Sequence, residues 1–170
     1  MEKVNYKRIL FLDIDGVLAS VDFLCRTAAK INNGLNRFID KEKVQLLNKL
    51  KPYDVEIVIS SSWGYNDDTV KALTDCGLEL PIIGGTEHFH VDWMCRGNEV
   101  AKWLSCTFDD YNVFDGRAYG YEGKDYEYVI LDDDCDMLLC QVDNFVEVDR
   151  TTALTDEHIE KIIKILTRNK

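Results

Sequence analysis

Short apolar runs alternate along the chain with stretches whose apolar residues recur every three or four positions. Five of these runs have the length of a strand and are bounded by turn residues. The clearest are apolar at nearly every position, which is typical of a parallel sheet covered on both faces. The predicted strands lie at 8–13, 55–60, 80–85, 127–132 and 144–149.

The stretches between these runs predict helices. Residues 40–52 place their apolar side chains on one helical face, with Asp40 as N-cap and Pro52 as the stop. Two similar patterns follow in the middle of the chain, and a last one starts from Thr155. Because strands alternate with helices, we predict an α/β fold with a doubly wound, mainly parallel sheet and right-handed crossovers.

Composition bounds the class of protein. The 170 residues, 46% of them hydrophobic, suffice for one core, and no linker or repeat divides them. The six cysteines are irregularly spaced, and neither a signal-peptide pattern nor an apolar run of membrane-spanning length is present. We therefore expect a single domain over 1–170 in a reduced, soluble, cytoplasmic protein.

The net charge of −11 is unevenly distributed. Residues 1–52 carry ten Lys and Arg against six Asp and Glu, whereas residues 53–149 carry five against twenty-two. An anionic partner is therefore expected to approach the first third of the chain or a local basic cluster.

Polar residues end three of the predicted strands, at the edge where doubly wound sheets bind ligands. Side chains alternate along an extended segment, so Asp13 and Asp15 should point the same way. A parallel sheet would bring them together with residues that end the second and fourth strands and with an arginine that precedes a helix. The converging set is Asp13, Asp15, Ser60, Arg96, Asp132 and Asp133.

So many carboxylates in one pocket would repel one another by roughly several kcal/mol unless a cation lay among them. Oxygen ligands without His or Cys suit Mg²⁺, which keeps several waters and shares its shell with substrate phosphate. The predicted metal ligands are Asp13, Asp15, Asp132 and Asp133. Arg96 is predicted to neutralise the phosphoryl group through paired hydrogen bonds.

The D-x-D pair offers two chemical roles. Asp13 could attack phosphorus and form an aspartyl-phosphate, while Asp15 protonates the leaving oxygen and later deprotonates the attacking water. Ser60 is predicted to hold a phosphoryl oxygen, and Ser61 takes that role if the strand ends one residue later.

Each of these residues also has a structural interpretation. The aspartates could accept backbone N–H bonds in turns, Ser60 could cap a helix, and Arg96 could be a surface or capping residue. The histidines in the EHFH stretch lack a third metal ligand at suitable spacing.

The sequence resembles the haloacid dehalogenase (HAD) superfamily of phosphatases, whose four motifs it matches in order. FLDIDGVL resembles the motif with the nucleophile and the acid/base, and VEIVISSSW the motif with the phosphate-binding Ser or Thr. CRGNEVAKWL resembles the motif with a Lys or Arg at a helix start, and YVILDDDCDM the acidic metal-binding motif. The resemblance implies a Rossmann-like HAD fold and Mg²⁺-dependent phosphatase activity.

Within the superfamily, the chain is most similar to the HAD domain of RNA-repair "Swiss army knife" proteins. That branch is related to the phosphatase domain of phage polynucleotide kinase/phosphatase. Two positions depart from it: this chain has Gly64 where the branch often has Arg, and Ala153 where it usually has Gly.

The stretch between the first two motifs bears on the substrate. Its 25 residues, 16–40, leave room for a flap but not for the cap domain that small-metabolite members of the superfamily commonly carry. We therefore expect minimal or no cap and an open site that resembles those of members acting on nucleic-acid ends, proteins or other large substrates. The flap is basic, and the aromatic, Gly-rich loop 107–126 could stack on bases. The predicted substrate-binding residues are Gly16, Ser61, Arg26, Lys30 and Arg37.

We predict a Mg²⁺-dependent phosphohydrolase of phosphomonoesters, with a polynucleotide end or nucleotide as substrate and neither a membrane nor an obligate protein partner. One alternative is a catalytically weak HAD-fold protein with a binding or regulatory role. Another is a phosphatase of small metabolites or phosphoproteins. A signalling receiver domain also has an acidic pocket on a parallel sheet, but its phosphoacceptor would end the third strand, where PIIGG has no acid.

Overall fold

The fold is built on a mainly parallel sheet whose strands follow the predicted apolar runs. A computed structural model describes residues 7–27, 35–88, 95–107, 110–112, 117–119 and 125–168. Its strands are β1 (Lys7–Leu12), β2 (Val55–Ile59), β3 (Ile82–Gly85), β4 (Asp110–Asn112), β5 (Arg117–Tyr119), β6 (Asp125–Asp132) and β7 (Phe145–Glu147).

β1 lies in the middle of the sheet. It pairs in parallel with β2 on one side and with β6 on the other, and β3 extends the sheet beyond β2. Two strands pair with the edge of β6 that faces away from β1. The start of β6 pairs antiparallel with β5, and its end pairs in parallel with β7. All five predicted strands are therefore present and mutually parallel, which confirms the predicted fold class.

The α-helices of the described residues are α1 (Val21–Thr27), α2 (Lys41–Leu47), α3 (Asp67–Asp75), α4 (Arg96–Thr107) and α5 (Asp156–Leu166). Of these, α2–α5 cover both faces of this sheet, as a doubly wound fold requires. One face packs against α2, α3 and α5 through apolar residues such as Leu10, Leu47 and Ile162. The other packs against α4, where Phe11 meets Trp103 and Tyr128 edge to face.

The predicted helix boundaries are largely as observed. Asp40 is the N-cap of α2, and its side chain accepts a hydrogen bond from the Glu42 N–H. Pro52 does not end this segment as expected, because α2 continues as a 3-10 helix over Asn48–Tyr53 that contains the proline. Among the described residues, two further 3-10 helices are Leu35–Phe38 and Leu139–Asn144.

The stretch 107–126, expected to be a loop, contains the two short strands β4 and β5. Three-residue strands leave too little periodicity to be recognised in a sequence. Here β5 pairs with the first residues of β6, and β4 in turn pairs with β5. Part of this stretch lies outside the described residues, and its proposed role in base stacking stays a prediction.

In its described part, the expected flap 16–40 contains α1 and the 3-10 helix Leu35–Phe38, while Val17, Leu18 and Ile39 are buried in the core. No side chain of α1 is buried. Its start is tied to the body of the fold by the Val21 N–H, which donates to the Arg150 carbonyl at 3.0 Å. Of the described helices, none has the length and apolar character needed to cross a membrane.

Candidate active site

The D-x-D segment lies at the carboxyl end of β1, as predicted. Asp13 directly follows the strand, is 5% exposed, and its N–H donates to the Leu131 carbonyl of β6 at 3.0 Å. The chain then turns at Gly16, whose φ is +74°. A Cβ at Gly16 would lie 2.3 Å from Asp133 Oδ2, so both the turn and the close carboxylate require glycine.

Three carboxylates meet at this edge. Because Leu12 pairs with Leu131, the residues that follow each of them, Asp13 and Asp132, become neighbours. Asp13, Asp132 and Asp133 each offer an oxygen within 4.8 Å of the others. The predicted juxtaposition of the first and fourth strand ends is therefore present in the structure.

Arg96, the first residue of α4, faces this cluster. Its Nη2 lies 3.6 Å from Asp13 Oδ1, and its Nε lies 3.4 Å from Asp132 Oδ2. Its Nη1 is 3.2 Å from Glu99 Oε2, one turn further along the helix. The guanidinium thus joins the two buried carboxylates to a third anion.

The start of α4 is held in place by the segment after β6. Asp136 Oδ2 accepts from the Arg96 N–H at 2.8 Å, so this residue caps the helix. The buried Gln141 donates from Nε2 to the Gly97 carbonyl at 2.9 Å. A Cβ on Gly97 would lie 2.4 Å from Leu138 N, so a glycine is needed for this close packing.

Glu99 was not among the residues predicted from the sequence. It is 3% exposed, and its second carboxylate oxygen, Oε1, lies 3.1 Å from His88 Nδ1. The i, i+3 spacing from Arg96 on a predicted helix was the available signal. His88 therefore contacts a buried glutamate, and His90 lies outside the described residues.

Burial and mutual repulsion raise the pKa values of the central carboxyls. Desolvation and the nearby Asp132 raise the pKa of Asp13 to about 8, against the opposing effects of Arg96 and the nearby hydroxyl of Ser61. Desolvation also raises the pKa of Asp132 to about 6. The metal-free site thus favours a proton on Asp13, whereas a cation would favour the ionised form.

The two candidate serines behave differently. Ser60 directly follows β2 and is 1% exposed, and its Oγ has no hydrogen-bond partner among the described residues. Ser61 is also buried; its hydroxyl lies close enough to Asp13 to lower the pKa of that carboxyl, and its Oγ accepts from the Trp63 N–H at 3.5 Å. The structure therefore brings Ser61 close to the predicted nucleophile.

Asp15 lies apart from the three-carboxylate group. Its Oδ2 accepts a hydrogen bond from Trp63 Nε1 at 3.0 Å, and the residue is exposed. Of the four predicted metal ligands, the structure therefore groups three and directs the fourth towards an indole. The sequence did not predict this hydrogen bond between Trp63 and Asp15.

Arg150 is a second cation of the site that sequence reasoning missed. Its Nε lies 3.1 Å from Asp133 Oδ2, and its Nη2 lies 3.1 Å from Asp134 Oδ1. An open cavity of about 580 Å³ adjoins these groups, and its lining carries both signs of charge, including Lys161 and Glu147. No local pattern marks Arg150, because its partners come from a different strand end.

The predicted basic flap residues are described in part. Arg26 is exposed and donates from Nε to the Asp22 carbonyl within α1. The exposed Arg37 places its guanidinium 4.3 Å from the centre of the Phe38 ring. Lys30 lies outside the described residues, so the role of these cations in substrate binding stays a prediction.

The donor atoms of the cluster suit a hard divalent cation. Asp13, Asp132 and Asp133 offer only carboxylate oxygens, the ligand type that Mg²⁺ prefers. The buried Oδ2 of Asp132 is 3.4 Å from Arg96 Nε but accepts no hydrogen bond from the described part of the chain, so it can still coordinate a cation. A cation among these oxygens would also relieve their repulsion.

The sheet is doubly wound, and its central strand is followed by D-x-D. An arginine starts a helix, and paired aspartates follow the neighbouring strand. These features together define a HAD-type domain. A family model described as the HAD domain in Swiss Army Knife RNA repair proteins matches residues 9–159. The chain belongs to this family, and through it to the HAD superfamily, which confirms the resemblance seen in the sequence. Comparisons with curated proteins and with solved structures gave no significant match.

Proposed function

We propose that this chain is a Mg²⁺-dependent phosphohydrolase that cleaves phosphomonoesters through a phosphorylated Asp13. The observation that carries the proposal is the placement of Asp13 after the central strand, within 3.6 Å of Arg96 and beside two further carboxylates. This arrangement combines a nucleophile with groups that can neutralise a phosphoryl dianion.

In the first step, a carboxylate oxygen of Asp13 attacks phosphorus, and the bond from phosphorus to the leaving oxygen breaks. Asp15 donates a proton to that oxygen, so the product leaves as an alcohol. Arg96 and the hydroxyl of Ser61 are close enough to Asp13 to contact the phosphoryl oxygens during this transfer. Ser60 supplies a further buried hydroxyl without a hydrogen-bond partner in the described chain.

In the second step, water attacks phosphorus while Asp15 accepts its proton. The bond from phosphorus to Asp13 breaks, inorganic phosphate leaves, and the Asp13 carboxylate is restored. The exposed position of Asp15 suits this role, because it must reach both the leaving group and the incoming water.

Asp13, Asp132 and Asp133 would hold the magnesium ion. When bound, Mg²⁺ supplies charge neutralisation for the carboxylates and for the phosphoryl oxygens. Arg150 already forms an ion pair with Asp133. It would therefore either compete with the metal ion for this carboxylate or orient the carboxylate towards the ion.

The substrate class that we propose is a phosphorylated polynucleotide end. The family's description as an RNA-repair domain supports it, as does the 25-residue stretch 16–40, which is too short for a cap domain. The cations Arg150 and Lys161, which line the cavity beside Asp133, would suit flanking phosphates.

The first experiment measures hydrolysis of an aryl phosphate with and without Mg²⁺, for the native chain and for Asp13→Asn. We expect Mg²⁺-dependent release of phosphate by the native chain and none by the variant, with unchanged circular dichroism. Full activity of the variant would refute the nucleophile assignment. No turnover of any ester by the native chain would favour a HAD-fold binding or regulatory protein.

A second experiment addresses the substrate. Oligonucleotides with a 3′-phosphate or a 5′-phosphate are compared with a panel of small phosphoesters and a phosphopeptide, by kcat/KM. We expect the highest value for one of the oligonucleotide ends. Equal or better values for the small esters or the phosphopeptide would refute this substrate class and leave the phosphatase chemistry intact.

A further inference from the structure

A tight turn follows β2 and is held rigidly. The Gly64 N–H donates to the Ser61 carbonyl at 2.9 Å and closes the turn, with Gly64 at φ +67°. The Trp63 carbonyl accepts from Asn66 Nδ2 at 2.8 Å and from Thr69 Oγ1 at 3.3 Å. The indole of Trp63 is partly buried against the main apolar core.

This turn lies beside both aspartates of the D-x-D pair. The hydroxyl of Ser61 is near Asp13, and Trp63 Nε1 donates to Asp15 Oδ2 at 3.0 Å. The first residue of the turn is therefore near the proposed nucleophile, and its third residue contacts the proposed acid/base.

The indole biases which oxygen of Asp15 carries a proton. An indole N–H only donates, so Oδ2 accepts whether Asp15 is ionised or protonated. In a protonated carboxyl the oxygen without the proton is the stronger acceptor, so this contact favours the transferable proton on Oδ1. Because Trp63 is held by its backbone contacts and its packing, it also restricts the rotamer of the otherwise exposed Asp15 side chain.

We infer that Trp63 is a positioning residue that orients Oδ1 of Asp15 towards the leaving oxygen of the substrate. The inference rests on the proposed function. As the Asp13 oxygen bonds to phosphorus and the bond to the leaving oxygen breaks, the proton on Oδ1 moves to that oxygen. Trp63 itself touches neither the phosphorus nor the proton.

The test uses Trp63→Phe, which removes the N–H donor and keeps most of the packing. An alkyl phosphate has a poor leaving group that needs the proton, whereas a nitrophenyl phosphate has a good one that needs it little. We expect kcat/KM to fall about 10- to 100-fold for the alkyl ester, as for loss of a hydrogen bond to a charged group. For the aryl ester we expect a fall of less than about 3-fold. The value of kcat/KM depends only on the steps up to the first irreversible one, here transfer of the phosphoryl group, and an aryl leaving group needs little proton donation in that step.

Two controls accompany this comparison. Trp103→Phe makes the same change on the opposite face of the sheet, beside Phe11, and should alter neither ester selectively. Asp15→Asn should also lose more kcat/KM on the alkyl ester than on the aryl ester, and the difference should be larger than for Trp63→Phe. Equal losses on both esters, or no loss, for Trp63→Phe would overturn the inference, whereas an inactive native chain would overturn the proposed function first.

A measurement without turnover checks the contact itself. The chain has three tryptophans, so a ¹⁵N-labelled sample shows three indole N–H resonances, which single Trp→Phe variants assign. The resonance of Trp63 should move upfield in Asp15→Ala, while that of Trp103 stays in place. An unmoved Trp63 resonance would show that the hydrogen bond to Asp15 does not form in solution and would overturn the inference.

Discussion

Replacing Asp13 by Asn should stabilise the metal-free protein even though it removes the proposed nucleophile. Asp13 is buried beside Asp132, and its pKa is raised from 3.8 to about 8. In the unfolded chain an aspartate is ionised at neutral pH, so the metal-free chain must take up a proton at Asp13 in order to fold. Asparagine has nearly the same shape and needs no proton.

The size of the effect follows from the linkage between proton binding and folding. When the pKa of a carboxyl is higher in the folded protein than in the unfolded chain, the free energy of unfolding falls with rising pH. The fall takes place between the unfolded pKa and the folded pKa. For a pKa raised from 3.8 to about 8, the loss at neutral pH is on the order of 4 kcal/mol. The gain from Asp13→Asn should therefore be near zero at about pH 4 and reach several kcal/mol by about pH 8.

The assay is urea denaturation in the presence of a chelator, at about pH 4 and about pH 8, for the native chain and for Asp13→Asn. Asp15→Asn is the matched control, because Asp15 is exposed and the change there should be within about 0.5 kcal/mol at either pH. A variant less stable than the native chain at the higher pH would refute the reasoning from burial and repulsion.

Three other predictions concern the site and its frame. Mg²⁺ should raise Tm more at about pH 8 than at about pH 5, because it binds the ionised carboxylates. The variant Asp132→Asn should lose most of this gain in Tm. A gain that does not depend on pH would contradict the prediction. Glu99→Gln should lower kcat/KM about 10-fold by loosening Arg96, and an unchanged value would show that Asp13 and Asp132 position the guanidinium alone. Ala153→Gly should cost almost no stability in a denaturation experiment, because relief of its φ of +56°, worth roughly 1–2 kcal/mol, offsets the lost methyl group. Ala72→Gly, in α3, should cost about 1 kcal/mol, and equal losses would contradict the strain.

Patterns local to the sequence predicted most of the fold. The five parallel strands were predicted because near-continuous apolar runs of strand length occur where both faces of a sheet are covered. The N-cap at Asp40 was predicted because capping depends on neighbouring residues alone. β4 and β5 were missed because they form only by pairing, β5 with β6 and β4 with β5, which their own residues do not encode.

For the site, the sequence by itself determined which residues end the strands and which arginine opens a helix, and hence that Asp13, Asp132 and Arg96 meet at one edge of the sheet. Strand alternation and parallel order suffice for that prediction. Only the tertiary structure decided that Ser61 lies near Asp13 and that Trp63 donates a hydrogen bond to Asp15, 48 residues away in the sequence. These contacts depend on how one turn closes against another strand end, and short-range sequence patterns carry no information about that geometry.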